Sequence, residues 1–182
     1  MIEQQVALPR VERLTVVKVV GFALALAAAA HVAIPLPGTP VPFTLQPFLV
    51  VLAGLWLGPR AAVASMVLYL AAGALGAPVW APVGLPGAAR LLGPTGGYLL
   101  AYPLAAWTAA MIARRRRSFG GRFVAAISAM AVIYLGGLAQ LAILTGSLAT
   151  SVVIGAAPFA ALDLVKSLIA AALTPPGPVE TP

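Results

Sequence analysis

"PFAALDLVKSL", residues 158–168, sets an aspartate and a lysine three apart in an otherwise apolar run near the end of the chain. The fold follows from the medium around that run, a protein core or a lipid bilayer, because the cost of burying two charges differs between them. Of the 182 residues, 62% are hydrophobic and 8% are charged, with a mean hydropathy of +1.03. Soluble domains carry roughly a quarter charged residues. A chain so poor in charge cannot coat a globule with polar surface, whereas lipid solvates apolar side chains directly. The composition therefore indicates an all-α integral membrane protein. A net charge of +7 and a pI near 10.9 would also suit a nucleic-acid binder. The basic residues, however, sit at the ends of apolar segments, where they set membrane topology, and no nucleic-acid partner is expected. The absence of cysteine removes disulfides, zinc-thiolate sites and thiol catalysis. The first apolar segment is too long for a signal-peptide core and lacks an obvious cleavage site, so it is expected to be retained.

A helix crosses the hydrocarbon layer in about 20 apolar residues, fewer where flanking groups snorkel or the bilayer thins. Six segments qualify within a single transmembrane domain, at about 14–34, 46–57, 60–76, 98–113, 122–144 and 156–173. Between them lie "PLPGTPVPFT" (35–44), "GAPVWAPVGLPGAARLLGPTGG" (76–97) and "TGSLATSVVIG" (145–155), read as loops. Cytoplasmic loops retain positive charge. With both termini cytoplasmic, Arg10, Arg13, Arg60, the run Arg114 to Arg117 and Arg122 lie inside, and Arg90 alone lies outside. The three loops then share the outer face, the arginine run anchors topology, and residues 174–182 form a disordered cytoplasmic tail.

In the first helix, "GFALALAAAAHVAI" (21–34) repeats alanine at a spacing of four, at Ala23 and Ala27 and at Ala25 and Ala29. Small residues so spaced allow close helix approach. The stripe suits docking of a partner subunit or packing within this chain, and spacing alone favours the latter. His31, the single histidine, reads as an interfacial polar residue, since a metal or catalytic site would need companions that are missing.

Asp163 and Lys166 lie about 60 degrees apart around a helix, with Ser167 four residues from Asp163, so all three can face the bundle interior. A charge at the centre of a lipid-facing helix costs about 2.5–3.5 kcal/mol on insertion scales, and such residues usually mark a substrate or ion path. Asp163 is the only acidic residue within the six segments. A structural ion pair is one reading, but apolar residues could replace such a pair at little loss. A binding pocket is the other, with one acceptor and one donor fixed on a rigid helix.

Three stretches carry a resemblance: "IPLPGTPVPFTLQPFLVVLAGLWLGPR" (34–60), "LLGPTGGYLLAYPLAAW" (91–107) and "PFAALDLVKSLIAA" (158–171). Together they are similar to the BioY family, the biotin-specific substrate-binding S components of energy-coupling-factor (ECF) transporters, over most of residues 20–172. The resemblance implies six helices, high-affinity capture of biotin from outside, and association with a transmembrane coupling subunit and ATP-binding-cassette ATPases, all at the cell membrane. It implies no cofactor on this chain, ATP being bound by the partner subunits.

Biotin offers two ureido N–H donors, a carbonyl, an apolar ring and chain, and a carboxylate. Under the resemblance, Asp163 accepts from a ureido N–H and Lys166 donates to a biotin oxygen, with Tyr98, Tyr69, Trp80 or Phe43 walling the ring. Because Asp163 and Lys166 cancel, an anionic ligand needs another cation, and Arg90 is assigned to the carboxylate. Gly96 and Gly97, in "GPTGGYLL" (93–100), would let backbone N–H groups approach the ligand at the start of helix four. That loop lacks the lysine and spacing of a phosphate loop. Thr44 and Gln46 would sit at the pocket rim, and the proline-rich loop before them would act as a lid. Catalysis is not expected, since one histidine, no cysteine and one intramembrane acid supply neither nucleophile and base nor metal set. A solitary transporter of biotin or another small vitamin, facilitative or proton-coupled through Asp163, remains the alternative.

Overall fold

The computed structural model describes residues 10–175, with side chains from Arg13 onward. Seven α-helices follow one another: α1 (Arg10–His31), α2 (Gln46–Leu57), α3 (Pro59–Ala74), α4 (Gly96–Arg115), α5 (Phe119–Thr145), α6 (Leu148–Gly155) and α7 (Ala160–Leu173). A short 3-10 helix, Gly87–Leu92, lies in the loop before α4. Among the described residues there are no strands, only an isolated antiparallel bridge in which Ile34 and Phe43 exchange two 2.9 Å backbone hydrogen bonds. This bridge closes the proline-rich loop 35–42 on itself.

The helix ends follow local chemistry. Gly58 takes φ 76°, a left-handed value that favours glycine, and Pro59 opens α3 where its missing N–H costs nothing. Ser118 caps α5 by accepting from the Gly121 N–H, and Gly146 ends that helix at φ 69°.

Three expectations are corrected here. Residues 145–155, read as a loop, contain α6, because the Ser147 hydroxyl accepts from the Thr150 N–H and nucleates a turn directly after Gly146. The last helix begins at Ala160 rather than near 156, and α6 and α7 form a broken pair bent by 58°. Thr174, placed in the tail, belongs to the fold: it is buried, and its hydroxyl accepts from Trp56 Nε1 at 3.1 Å. Residues 176–182 lie outside the described residues.

By length and composition, α1, α4 and α5 can each cross a membrane alone, and the α6–α7 pair can form one broken span. The shorter apolar helices α2 and α3 have 12 and 16 residues. At 1.5 Å per residue α2 reaches about 18 Å, well short of a hydrocarbon core about 30 Å thick.

In lipid, side-chain size at contacts replaces the hydrophobic drive. Helix α4 presents Ala105, Ala106 and Ala109, all fully buried, and Gly54 of α2 packs directly onto Ala106 and Ala109. Helices α4 and α5 meet at Gly97 and Gly136, where a Cβ on either would overlap the other's carbonyl. Ala23 and Ala29 are buried within the chain, so these two serve internal packing, while Ala25 and Ala27 are partly covered. Leu24 on α1, Leu135 and Ile143 on α5 and Leu162 on α7 are exposed, a surface that lipid solvates.

Gly97→Ala should separate α4 from α5 and destabilise the protein by about 1–3 kcal/mol, the usual range for overpacking. Gly21→Ala, in open space on α1, should be neutral or slightly stabilising because alanine is the better helix former. Thermal unfolding in detergent compares them; equal melting temperatures would contradict the close contact.

Candidate ligand-binding site

Helix α7 carries its polar groups on one face. Asp163, Lys166 and Ser167 are buried together with Ala170, while Leu162, Val165 and Ile169 are exposed. Asp163 Oδ1 pairs with Lys166 Nζ at 2.8 Å, and Asp163 Oδ2 accepts from the Tyr134 hydroxyl of α5 at 2.5 Å. Lys166 Nζ also donates to the Thr44 carbonyl at 2.9 Å and stands 4.0 Å from the centre of the Phe43 ring. The Ser167 hydroxyl donates back to the Asp163 carbonyl at 2.8 Å. Each carboxylate oxygen thus has one protein partner and a second lone-pair direction to spare. The ammonium is held by a carboxylate, a carbonyl and an aromatic face, which together offset the loss of water.

A second group of side chains sits against this one. Gln46 Nε2 donates to the Tyr69 hydroxyl at 2.7 Å, and that hydroxyl donates to the Val79 carbonyl at 3.2 Å. The Tyr69 and Trp80 rings meet edge to face with centres 5.1 Å apart, and Trp80 Nε1 donates to the Gly87 carbonyl at 3.0 Å. Tyr98 rests on Gly137 and donates to the Gly155 carbonyl at 2.9 Å. Gln46, Tyr69, Trp80, Tyr98 and Tyr102 help line a cavity of about 70 Å³. A cavity of about 40 Å³ beside it reaches Asp163, Lys166 and Tyr134. Val41, Pro42, Thr44, Pro47 and Tyr98 line both, so these five residues form the partition.

Arg90, from the 3-10 helix, is buried and lines both the 70 Å³ cavity and a third, of about 260 Å³, beneath the proline-rich loop. Its guanidinium donates to the Val83 carbonyl at 2.6 Å and to the Ala81 carbonyl, and it has no carboxylate partner among the described residues. Burial pulls its pKa below the ordinary value, opposed by Tyr69, but an arginine starts so high that it stays charged. Thr44, Gln46, Tyr69, Trp80, Arg90, Tyr98, Asp163 and Lys166 therefore converge on three adjoining cavities. Gly96 and Gly97 line none of the three. Gly96 packs against the Leu91 carbonyl and donates to Gly93, and Gly97 is the crossing point with α5. His31 is exposed and bonds the Ala27 carbonyl of its own helix. Sequence reasoning missed Tyr134, Tyr102 and Thr95, since an aromatic residue or threonine in an apolar chain shows no sign of its partner.

Asp163→Leu alone should destabilise the protein by about 3–5 kcal/mol, because it leaves the Lys166 ammonium buried and unpaired. Asp163→Leu with Lys166→Met should recover most of that loss. Thermal unfolding checks both, and a double variant no more stable than the single one would show that the pair is not what the charges are for structurally.

The description "BioY family" belongs to the family model that matches residues 4–179. The biotin transporter BioY of Thermotoga maritima is 34% identical over 150 residues, covering 82% of this chain and 87% of the relative. The probable biotin transporter BioY of Pyrococcus horikoshii is 40% identical over 131 residues, covering 72% and 76%. A crystal structure described as the S-component for biotin from an ECF-type ABC transporter superposes with a TM-score of 0.82 at 22% identity, over 92% of this chain and 93% of that one. That likeness establishes the helical architecture, and the match across nearly the whole sequence establishes the lineage: this chain belongs to the BioY family.

Proposed function

We propose that this chain is the biotin-binding S component of an ECF transporter. The observation that carries the reading is the buried Asp163–Lys166 pair, held by Tyr134 and Thr44 and opening onto an aromatic-walled cavity. A pair serving packing alone has no need of cavities on its flank. Asp163 accepts a ureido N–H through its spare lone pairs, and Lys166 turns a donor to a biotin oxygen. Tyr98, Tyr69, Trp80 and Phe43 wall the ring. Arg90 keeps three of its five N–H donors beyond the two carbonyl bonds and meets the valeryl carboxylate.

Size requires a movement. Ligand pockets usually enclose about 300–1,000 Å³, and the cavities here hold about 70, 40 and 260 Å³ separately. Val41, Pro42 and Thr44 stand between the first two, and Pro42 also lines the third, all on or next to the loop closed by the Ile34–Phe43 bridge. Displacement of this loop merges the three spaces and admits biotin, so the loop acts as the lid.

With its termini cytoplasmic, the chain presents this site outward. It carries no nucleotide-binding motif, so the energy for uptake comes from a coupling subunit and its ATPases. Ala25 and Ala27 at the edge of the exposed α1 face, beside Leu24 and Ala28, form the docking stripe for the coupling subunit.

Radiolabelled biotin binding to the purified chain tests the site. Asp163→Asn and Lys166→Ala should each weaken binding at least tenfold, and Tyr134→Phe about tenfold, consistent with a hydrogen bond to a charged group worth about 1.5–3 kcal/mol. Arg90→Ala should weaken biotin far more than biotinamide, whose uncharged end makes no claim on the guanidinium; equal losses would remove Arg90 from that role. Co-purification of ATPases with the tagged chain supports the multisubunit form, whereas uptake by the chain alone that collapses with the proton gradient supports the solitary one.

A further inference from the structure

The far end of α7 holds a second built feature. About 16 Å along the helix from Asp163 at 1.5 Å per residue, a cavity of about 150 Å³ opens where α2, α4 and α7 end and α5 begins. Arg114, Arg117, Arg122, Thr174 and Gly58 help line it. Arg122 is only 9% exposed. Its Nη1 donates to the Thr174 carbonyl, which holds the end of α7, while its Nε is buried with no hydrogen-bond partner. A buried N–H left unpaired costs about 1–3 kcal/mol, more on a charged group.

Among the described residues, every charged side chain that lines this cavity is an arginine. Asp163 is the one carboxylate among the described side chains, and it is committed to Lys166 at the other end of the helix. The carbonyl ends of three helices offset part of the positive charge, but they cannot reach an N–H that has already found no acceptor. Water occupies about 30 Å³ in the liquid, so the space exceeds what one bridging water would need. A compact group with several acceptor oxygens and negative charge would match this lining and satisfy the Arg122 Nε–H.

We propose that this cavity binds a phosphate group, with Arg122 Nε–H as the buried donor and Arg114 at the mouth. The group comes from an anionic lipid headgroup or from free phosphate, which share this chemistry. The site is separate from the one that takes biotin, and its occupancy ties the ends of α2, α4, α5 and α7 together.

Native mass spectrometry of the protein in neutral detergent tests this in two arms, one with added phosphatidylglycerol and one with inorganic phosphate replacing chloride. The wild type should retain one equivalent in at least one arm, and the arm identifies the source. Arg114→Gln keeps the Arg122–Thr174 bond and should reduce retention at least fivefold, with biotin binding unchanged. Arg122→Lys keeps the charge but deletes the Nε–H, and should reduce retention similarly. Arg115→Gln, outside the cavity, should have little effect. No retention in either arm, or a loss as large in Arg115→Gln as in Arg114→Gln, would overturn the site and leave a general basic surface.

Discussion

The 2.8 Å contact between Asp163 and Lys166 ties three distant parts of the chain together. Lys166 reaches the Thr44 carbonyl just before α2, and Asp163 reaches the Tyr134 hydroxyl on α5. Because lipid offers no hydrogen bonds, each of these groups must find its partner inside the protein. The requirement fixes the rotation of α7, which turns its polar face inward and leaves Leu162, Val165 and Ile169 to lipid. It also brings the end of the proline-rich loop onto the bundle, since Phe43 covers the ammonium and pairs with Ile34.

Close helix contacts make room for this arrangement. Gly137 and Gly155 admit Tyr98, and Gly73 admits Trp80, because a Cβ at any of the three would strike the aromatic ring or its hydroxyl. Gly97 and Gly136 let α4 and α5 touch along their backbones. The aromatic walls of the cavities thus depend on glycines on neighbouring helices of this multi-pass membrane protein.

The legible parts of the sequence are those where local chemistry decides. The expected bounds of α2, 46–57, coincide with the observed helix because Pro47 and Gly58 mark its ends. Asp163 and Lys166 stood out because charge in an apolar run has few explanations. Helix α6 escaped notice because eight residues are too few for a span, although Ser147 after Gly146 carried a capping signal. Tyr134 could not be found, since nothing in "AVIYLGG" (131–137) records that its hydroxyl meets a carboxylate 29 residues later. The same holds for Arg90, whose carbonyl partners depend on how the loop 76–95 folds, and for Gly96 and Gly97, where ligand contact and helix packing make the same demand on a sequence.

The most direct measurement is an experimental structure of the chain with biotin bound. The account predicts the ureido ring within hydrogen-bond distance of Asp163 or Lys166, against Tyr98, with the loop 35–42 displaced relative to its position here. Biotin found elsewhere, with the Asp163–Lys166–Tyr134 contacts and the partition at Thr44 unchanged, would contradict it.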